Sequence, residues 1–207
     1  MSSSTRTRSA VVALAFAGVV AAGVGLLDDG PSAAPRGQAA VPPPPPSAVA
    51  PVDDPGQLGA DGSVPDGVTV FDDDVPAVTN LDGALLDALR RAATDATGDG
   101  VAFVVNSGWR SAEYQDRLLQ DAVVQYGSAQ EAARWVATAE TSPHVRGDAV
   151  DVGPWAATAW LSEHGAGYGL CQVYGNEPWH YELRPDAVGA GCPAMYPDPT
   201  HDPRMAQ

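Results

Sequence analysis

The run Ser142-Pro143-His144-Val145-Arg146-Gly147-Asp148-Ala149-Val150-Asp151 and the later Glu177-Pro178-Trp179-His180 set two histidines among carboxylates. Catalytic zinc takes three protein ligands and keeps a fourth position open, and two His with one carboxylate form an accepted set. His144, Asp151 and His180 fill it. A Zn²⁺ held by them lowers the pKa of its water to about 7 and polarises a carbonyl under attack. Glu177, which stands three residues before His180, is the candidate base that takes the water's proton and passes it to a departing amine. Arg110 is the candidate for gripping a substrate carboxylate or oxyanion through its planar fork. The chemistry these residues suit is metal-assisted hydrolysis.

Each of these residues also has a plainer role open to it. Asp151 can be a turn carboxylate, Arg110 a solvated charge and Glu177 half of a surface pair. Against that, an Asp inside Ala149-Val150-Asp151-Val152 defies strand propensity and is costly to bury unpaired, which a metal would explain. His164 and His201 sit in no ligand-rich motif, and Trp179 reads as a packing residue. Asp148 and Glu182 read as solvent-facing charges or as partners that fix a histidine tautomer.

The elements that must carry these groups are legible from pattern. Asn80 is placed to cap a helix with Leu81, Leu85, Leu86, Leu89 and Ala93 on one face, ending near Gly98. Residues 101–105 read as a buried strand that delivers Ser107-Gly108-Trp109-Arg110 to a loop. Ser111 caps a helix to about Tyr126, and Ser128-Ala129-Gln130-Glu131 has the capping-box pattern for another to about Ala139. Residues 149–152 form a strand with Val150 and Val152 on one side and Asp151 on the other. A short helix over 155–164 and strands over 170–174 and 179–183 complete an α+β domain with a small antiparallel sheet and flanking helices.

The chain has 207 residues, and its first part cannot form a core. Arg6 and Arg8 precede an uncharged apolar stretch at 10–27, which fits a secretory signal or a membrane anchor with the positive end in the cytoplasm. Residues 28–60 are rich in Pro, Ala, Gly and Asp, with five prolines in a row at 42–46, and act as a disordered spacer. The folded domain is expected over 61–196, with an irregular Pro- and Asp-rich tail at 197–207. These features place the domain outside the cytoplasm, secreted or anchored, touching the membrane only through its N-terminal segment.

A net charge of -15 without basic clusters argues against nucleic acid as a partner. All 11 basic residues are arginine, so Schiff-base and Ser-x-x-Lys chemistry are excluded. The two cysteines, Cys171 and Cys192, read as a disulfide in an exported chain, closing a loop that contains Glu177 and His180.

Taken together, Ser142-x-His144-x-x-Gly147-x-Ala149-x-Asp151, Glu177-Pro178-Trp179-His180 and the upstream Ser107-Gly108-Trp109-Arg110-Ser111 with Gln115 resemble the zinc D-alanyl-D-alanine carboxypeptidases and dipeptidases, including the vancomycin-resistance type. The resemblance spans roughly residues 65–185. It implies the hedgehog-type metallopeptidase fold, with His144, Asp151 and His180 as zinc ligands and Glu177 as the base. Arg110, Ser142 and Gln115 fall at substrate-binding positions. The activity implied is removal of the terminal D-alanine from peptidoglycan stem peptides, with water as the attacking group. The rivals are a cell-wall endopeptidase with the same zinc apparatus and a silent zinc-containing module that binds cell-wall peptide.

Overall fold

The computed structural model describes residues 59–206. The expected N-terminal segment and the spacer before residue 59 lie outside them. No helix among the described residues is long and apolar enough to cross a membrane.

A four-stranded, wholly antiparallel sheet holds the molecule together, with β1 (Val104–Ser107), β2 (Ala149–Gly153), β3 (Leu170–Gln172) and β4 (His180–Leu183) in the order β1-β2-β4-β3. The helices are α1 (Pro76–Thr79), α2 (Gly83–Gly98), α3 (Ala112–Tyr126), α4 (Ala129–Ala132), α5 (Pro143–Arg146) and α6 (Trp155–His164). This is the α+β arrangement that the order of patterns predicts.

The core lies on one face of the sheet. Val105, Val150, Val152, Leu170 and Tyr181 meet Leu85, Ala88, Leu89, Ala92 and Ala96 of α2 and Ala157, Trp160 and Leu161 of α6. Because side chains alternate along a strand, Asp151, between the core residues Val150 and Val152, and His180, next to the core residue Tyr181, turn to the opposite face. A smaller apolar cluster joins α3 to α4 through Ala122, Ala132 and Val136, and the Tyr126 and Trp135 rings stack 5.8 Å apart beside it.

Several boundaries differ from expectation. The cap of α2 is Asp82, whose carboxylate accepts from the Ala84 and Leu85 amides, while Asn80 instead closes α1. The Asp82 amide donates to Gly147 O at 2.9 Å, so the chain is pinned there and the helix begins one residue later. Strand β1 starts at Val104, because the Val101 amide still closes the end of α2 on Ala96 O. Ser128 caps the chain as expected, with its hydroxyl accepting from the Glu131 amide, but α4 lasts four residues instead of reaching Ala139. Beyond it the Trp135 and Val136 amides both return to Ala132 O, and the Ala137 carbonyl accepts from Gln115 Nε2 at 2.8 Å. Strands β3 and β4 are shorter than 170–174 and 179–183, and Tyr174 pairs in a single parallel bridge with Tyr196. Helix α3, capped by the Ser111 hydroxyl on the Tyr114 amide, and helix α6 match the predicted spans.

Residues 197–206 contain no α-helix or strand, only two short 3-10 turns, Pro199–His201 and Pro203–Met205. They are nevertheless docked, with Asp198 and Asp202 buried at 2% and 1% exposure.

Candidate active site

The sheet register assembles the centre. Ser107 is paired with Asp151 and Asp151 with His180, so one row across β1, β2 and β4 presents three polar side chains on the face away from the core. A bulge between Val105 and Ser107 inserts an extra residue just before the row, which re-aims the end of β1 and the loop after it. That loop must pass very close to α1. A Cβ on Gly108 would lie 2.0 Å from Ala77 O, so glycine is required there. Its carbonyl faces the site and accepts from His144 Nδ1 at 2.8 Å. This bond fixes the tautomer and leaves His144 Nε2 free to serve as a ligand. His144 itself sits on α5, a single turn ended by Gly147 at φ 78°. A Cβ at Gly147 would meet Asn80 O at 2.4 Å, so the glycine is needed for contact as well as for the left-handed turn.

Three ligand atoms converge. His144 Nε2 lies 3.4 Å from Asp151 Oδ1 and 3.3 Å from His180 Nδ1, which lies 3.3 Å from Asp151 Oδ1. Tetrahedral zinc with bonds of about 2.0–2.1 Å separates its ligands by about 3.3–3.4 Å, so the triangle has the dimensions of one tetrahedral face. All three residues are buried, and Asp151 Oδ1 is a buried oxygen with no hydrogen-bond partner. A buried carboxylate oxygen without a partner is costly, and a cation removes the cost. The donor set and its spacing therefore fit a divalent metal of the zinc kind.

The electrostatics point the same way. Burial works to lower the His180 pKa, yet the nearby carboxylates of Asp151, Glu182 and Glu177 outweigh it and raise it to about 10. Burial also opposes ionisation of Asp151, but its neighbours His144, His180 and Arg110 hold it well below the usual carboxylate range. His144 is pushed down by burial and by the Arg110 charge. The carboxylates around His180 thus favour a positive charge at the centre.

Glu177 stands at the edge of the triangle, with Oε2 3.6 Å from His180 Nδ1 and Oε1 buried without a partner. Burial and the Asp151 charge raise its pKa to about 8 against the pull of His180 and Arg110. Arg110 donates through Nε to Ser107 Oγ (2.7 Å), through Nη1 to Gln115 Oε1 (3.0 Å) and through Nη2 to Asp151 Oδ2 (3.0 Å). Of the five donors of a guanidinium, these bonds leave one N–H on each of Nη1 and Nη2. Arg110, Gln115, Ser142 and Glu177 line, with the three ligands, a cavity of about 710 Å³.

The model for the VanY family, described as D-alanyl-D-alanine carboxypeptidase, matches residues 79–186, just over half of the chain and every residue of this centre. The chain belongs to the VanY family. A D-alanyl-D-alanine carboxypeptidase of Enterococcus faecalis (strain ATCC 700802 / V583) is 34% identical over 111 residues, covering 42% of this chain and 41% of that relative. The chain therefore spans less than half the length of this curated relative. Among solved structures, a mutant of the vancomycin-resistance D,D-pentapeptidase VanY from a VanB-type cassette, in complex with Zn(II), is 28% identical over 50% of this chain and 72% of its own, with a TM-score of 0.47. The LdcB LD-carboxypeptidase is 22% identical over 62% of this chain and 71% of its own, with a TM-score of 0.50, a likeness of fold.

The VanY fold brings together His144, Asp151, His180 and Glu177 from segments separate in sequence, and places Arg110, Ser142 and Gln115 in the same cavity. Gln115, 1% exposed, has both ends of its amide engaged by Arg110 and Ala137. Cys171 and Cys192 form the disulfide. His164 packs its ring 4.6 Å from Trp160, and His201 bonds Asp198, so neither joins the cluster. Asp148 is a surface partner of Arg146. Glu182 is the histidine partner of the two roles open to it, 1% exposed and 3.3 Å from His180 Nε2. Sequence reading missed Ser107 as a support for Arg110 and missed Tyr174, Asp202 and Arg204. Ser107 had a local signal in its spacing from Arg110; the others had none.

Proposed function

We propose that the chain is a zinc-dependent D,D-carboxypeptidase that removes the terminal D-alanine from peptidoglycan stem peptides, acting outside the cytoplasm. The observation that carries this reading is the buried triangle of His144 Nε2, Asp151 Oδ1 and His180 Nδ1, with an unpartnered oxygen at one corner and Glu177 alongside. Membership of the VanY family supports the substrate class.

When bound at the triangle, Zn²⁺ supplies Lewis acidity toward the scissile carbonyl and acidifies a water. The remaining work belongs to the protein. Arg110, held rigidly by Ser107, Gln115 and Asp151, offers its two free Nη protons to the terminal carboxylate of the peptide. Gln115 acts through Arg110 by fixing its fork, and Ser142, at the cavity wall, contributes to holding the peptide. Glu177 takes the proton of the attacking water and delivers it to the amine of the departing D-alanine. No side chain becomes covalently attached, and the chain has no lysine for a serine-lysine mechanism. Walls from α3 (Tyr114, Leu118), the following loop (Trp135) and the last residues (Pro199, Met205) bound the cavity, which suits a short peptide end.

The test is D-alanine release, followed by mass spectrometry, from a defined stem pentapeptide and its tetrapeptide. Zinc-loaded protein should release D-alanine from the pentapeptide, and Glu177→Ala should lower the rate by about 10²–10⁴-fold while zinc stays bound. Unchanged turnover in that variant would remove the mechanism, and attack on the tetrapeptide alone would overturn the D,D specificity.

A further inference from the structure

His180 is held from two sides by Glu182 and Tyr174, and both of these are held in turn by residues beyond the VanY match, which ends at residue 186. At its edge, Nε2 lies 3.3 Å from Glu182 Oε1. Glu182 is 1% exposed, and Arg204 covers it with a paired contact, Nη2 to Oε1 at 3.1 Å and Nη1 to Oε2 at 2.7 Å. Arg184 also reaches this carboxylate, but only at Oε2. Arg204 is thus the guanidinium that bonds the oxygen facing His180. Its own orientation is set by Asp202, which accepts from its Nε at 3.0 and 2.9 Å. Asp202 closes the circuit, accepting from the Tyr174 hydroxyl at 3.0 Å, while the Tyr174 ring lies tilted by 41° against His180 with the ring centroids 5.0 Å apart.

The segment that carries these groups is fastened along its length. Gly175 N donates to Tyr196 O at 2.8 Å and Tyr196 N to Val173 O at 2.9 Å, and Arg134 Nε donates to Asp198 Oδ2 at 2.9 Å. Pro199 and Met205 then form part of the cavity wall. Such a course along the site is more than a loose end requires.

We propose that residues 198–205 are a strap that completes the metal site, and that Arg204 is a positioning residue for His180, acting through Glu182. Groups that orient a metal-binding histidine from behind commonly govern metal affinity about as strongly as a weak ligand does, with losses of about 10–100-fold when removed. A buried carboxylate held at both oxygens can accept from the imidazole in one direction only, so Nδ1 is aimed at Asp151 and His144. The inference rests on the proposed metal reading, and its experiment separates the two.

The experiment is titration of the metal-free protein with Co²⁺ against a chelating competitor, read by the cobalt absorption bands, alongside Zn²⁺ competition and kcat and KM for D-alanine release. Arg204→Ala should weaken Co²⁺ and Zn²⁺ affinity about 10–100-fold and, with the site saturated in metal, should lower kcat more than it raises KM. Millimolar guanidinium should recover much of the affinity, since the Arg204 side chain is 36% exposed and its place is open to solvent. Arg204→Lys should fall between wild type and Arg204→Ala, because an ammonium cannot reproduce the paired contact. Arg91→Ala, which makes the same change in net charge at the surface, controls for charge alone. Arg204→Ala matching Arg91→Ala would overturn the positioning role. Affinity lost without recovery in guanidinium would overturn it too, since that marks a general loss of structure. Wild-type protein that holds no cobalt would instead overturn the metal reading itself.

Discussion

Removing the metal should destabilise the domain by an amount that mass action sets. Without a cation, Asp151 Oδ1 and Glu177 Oε1 are buried with no hydrogen-bond partner, so the folded state alone presents the preformed triangle and gains from its occupation. A ligand that binds only the folded state at a free concentration of 100 times its Kd stabilises by about 2.7 kcal/mol. The described domain covers residues 59–206, a size at which about 1 kcal/mol moves the melting temperature by about 2–4 °C. The zinc-loaded protein should therefore melt about 5–11 °C above the chelated protein at that concentration. Asp151→Asn keeps the shape but removes the charge and weakens the 3.0 Å pair with Arg110, so it should melt lower and lose most of the zinc-dependent shift. Scanning calorimetry in buffered free zinc makes the measurement. Coincident melts with and without zinc, or a full shift retained in Asp151→Asn, would refute the reasoning.

Arg110→Lys gives up the fork that joins Ser107, Gln115 and Asp151, and steady-state release of D-alanine should show kcat/KM reduced about 10–100-fold, the equivalent of one or two charge-assisted hydrogen bonds. Reducing the Cys171–Cys192 bond opens a loop with a sequence separation of 21 and should cost about 3 kcal/mol, seen as a lower urea midpoint with reductant than without. Asp198 has its pKa lowered from 3.8 to about 2, because hydrogen bonds from Thr200, His201 and Arg134 outweigh the opposing effect of burial. A carboxylate depressed on folding contributes stability above its unfolded pKa and loses it as the pH falls through the folded one. Stability should thus decline between about pH 4 and pH 2 partly through Asp198, and Asp198→Asn should flatten the denaturation free energy across that window.

The parts of the structure legible in the sequence are those written locally. Ser111 and Ser128 each accept from the amide three residues on, as their spacing from the following turn requires. The alternation Val150-Asp151-Val152 placed two valines in the core and the aspartate in the site. The metal triangle was legible because the residue types left few other uses for two imidazoles among carboxylates. Boundaries were less so where distant groups decide them. Helix α2 starts late because Asp82 is pinned to Gly147. Glu182 could be read as buried or solvated until Arg204, 22 residues away, was seen to cover it. The ordering of residues 197–206 had no local signal, since Pro- and Asp-rich composition describes both a loose end and a strap fixed by Asp198, Asp202 and Arg204.

The central claim is a single divalent ion bound at the apex of three side chains. A crystal of the zinc-soaked protein, measured on both sides of the zinc absorption edge, tests it directly. The account predicts one anomalous peak about 2.0–2.1 Å from His144 Nε2, Asp151 Oδ1 and His180 Nδ1, with Glu177 outside bonding distance. A peak elsewhere, a fully occupied ion ligated by Glu177 in place of Asp151, or no peak at saturating zinc would contradict it.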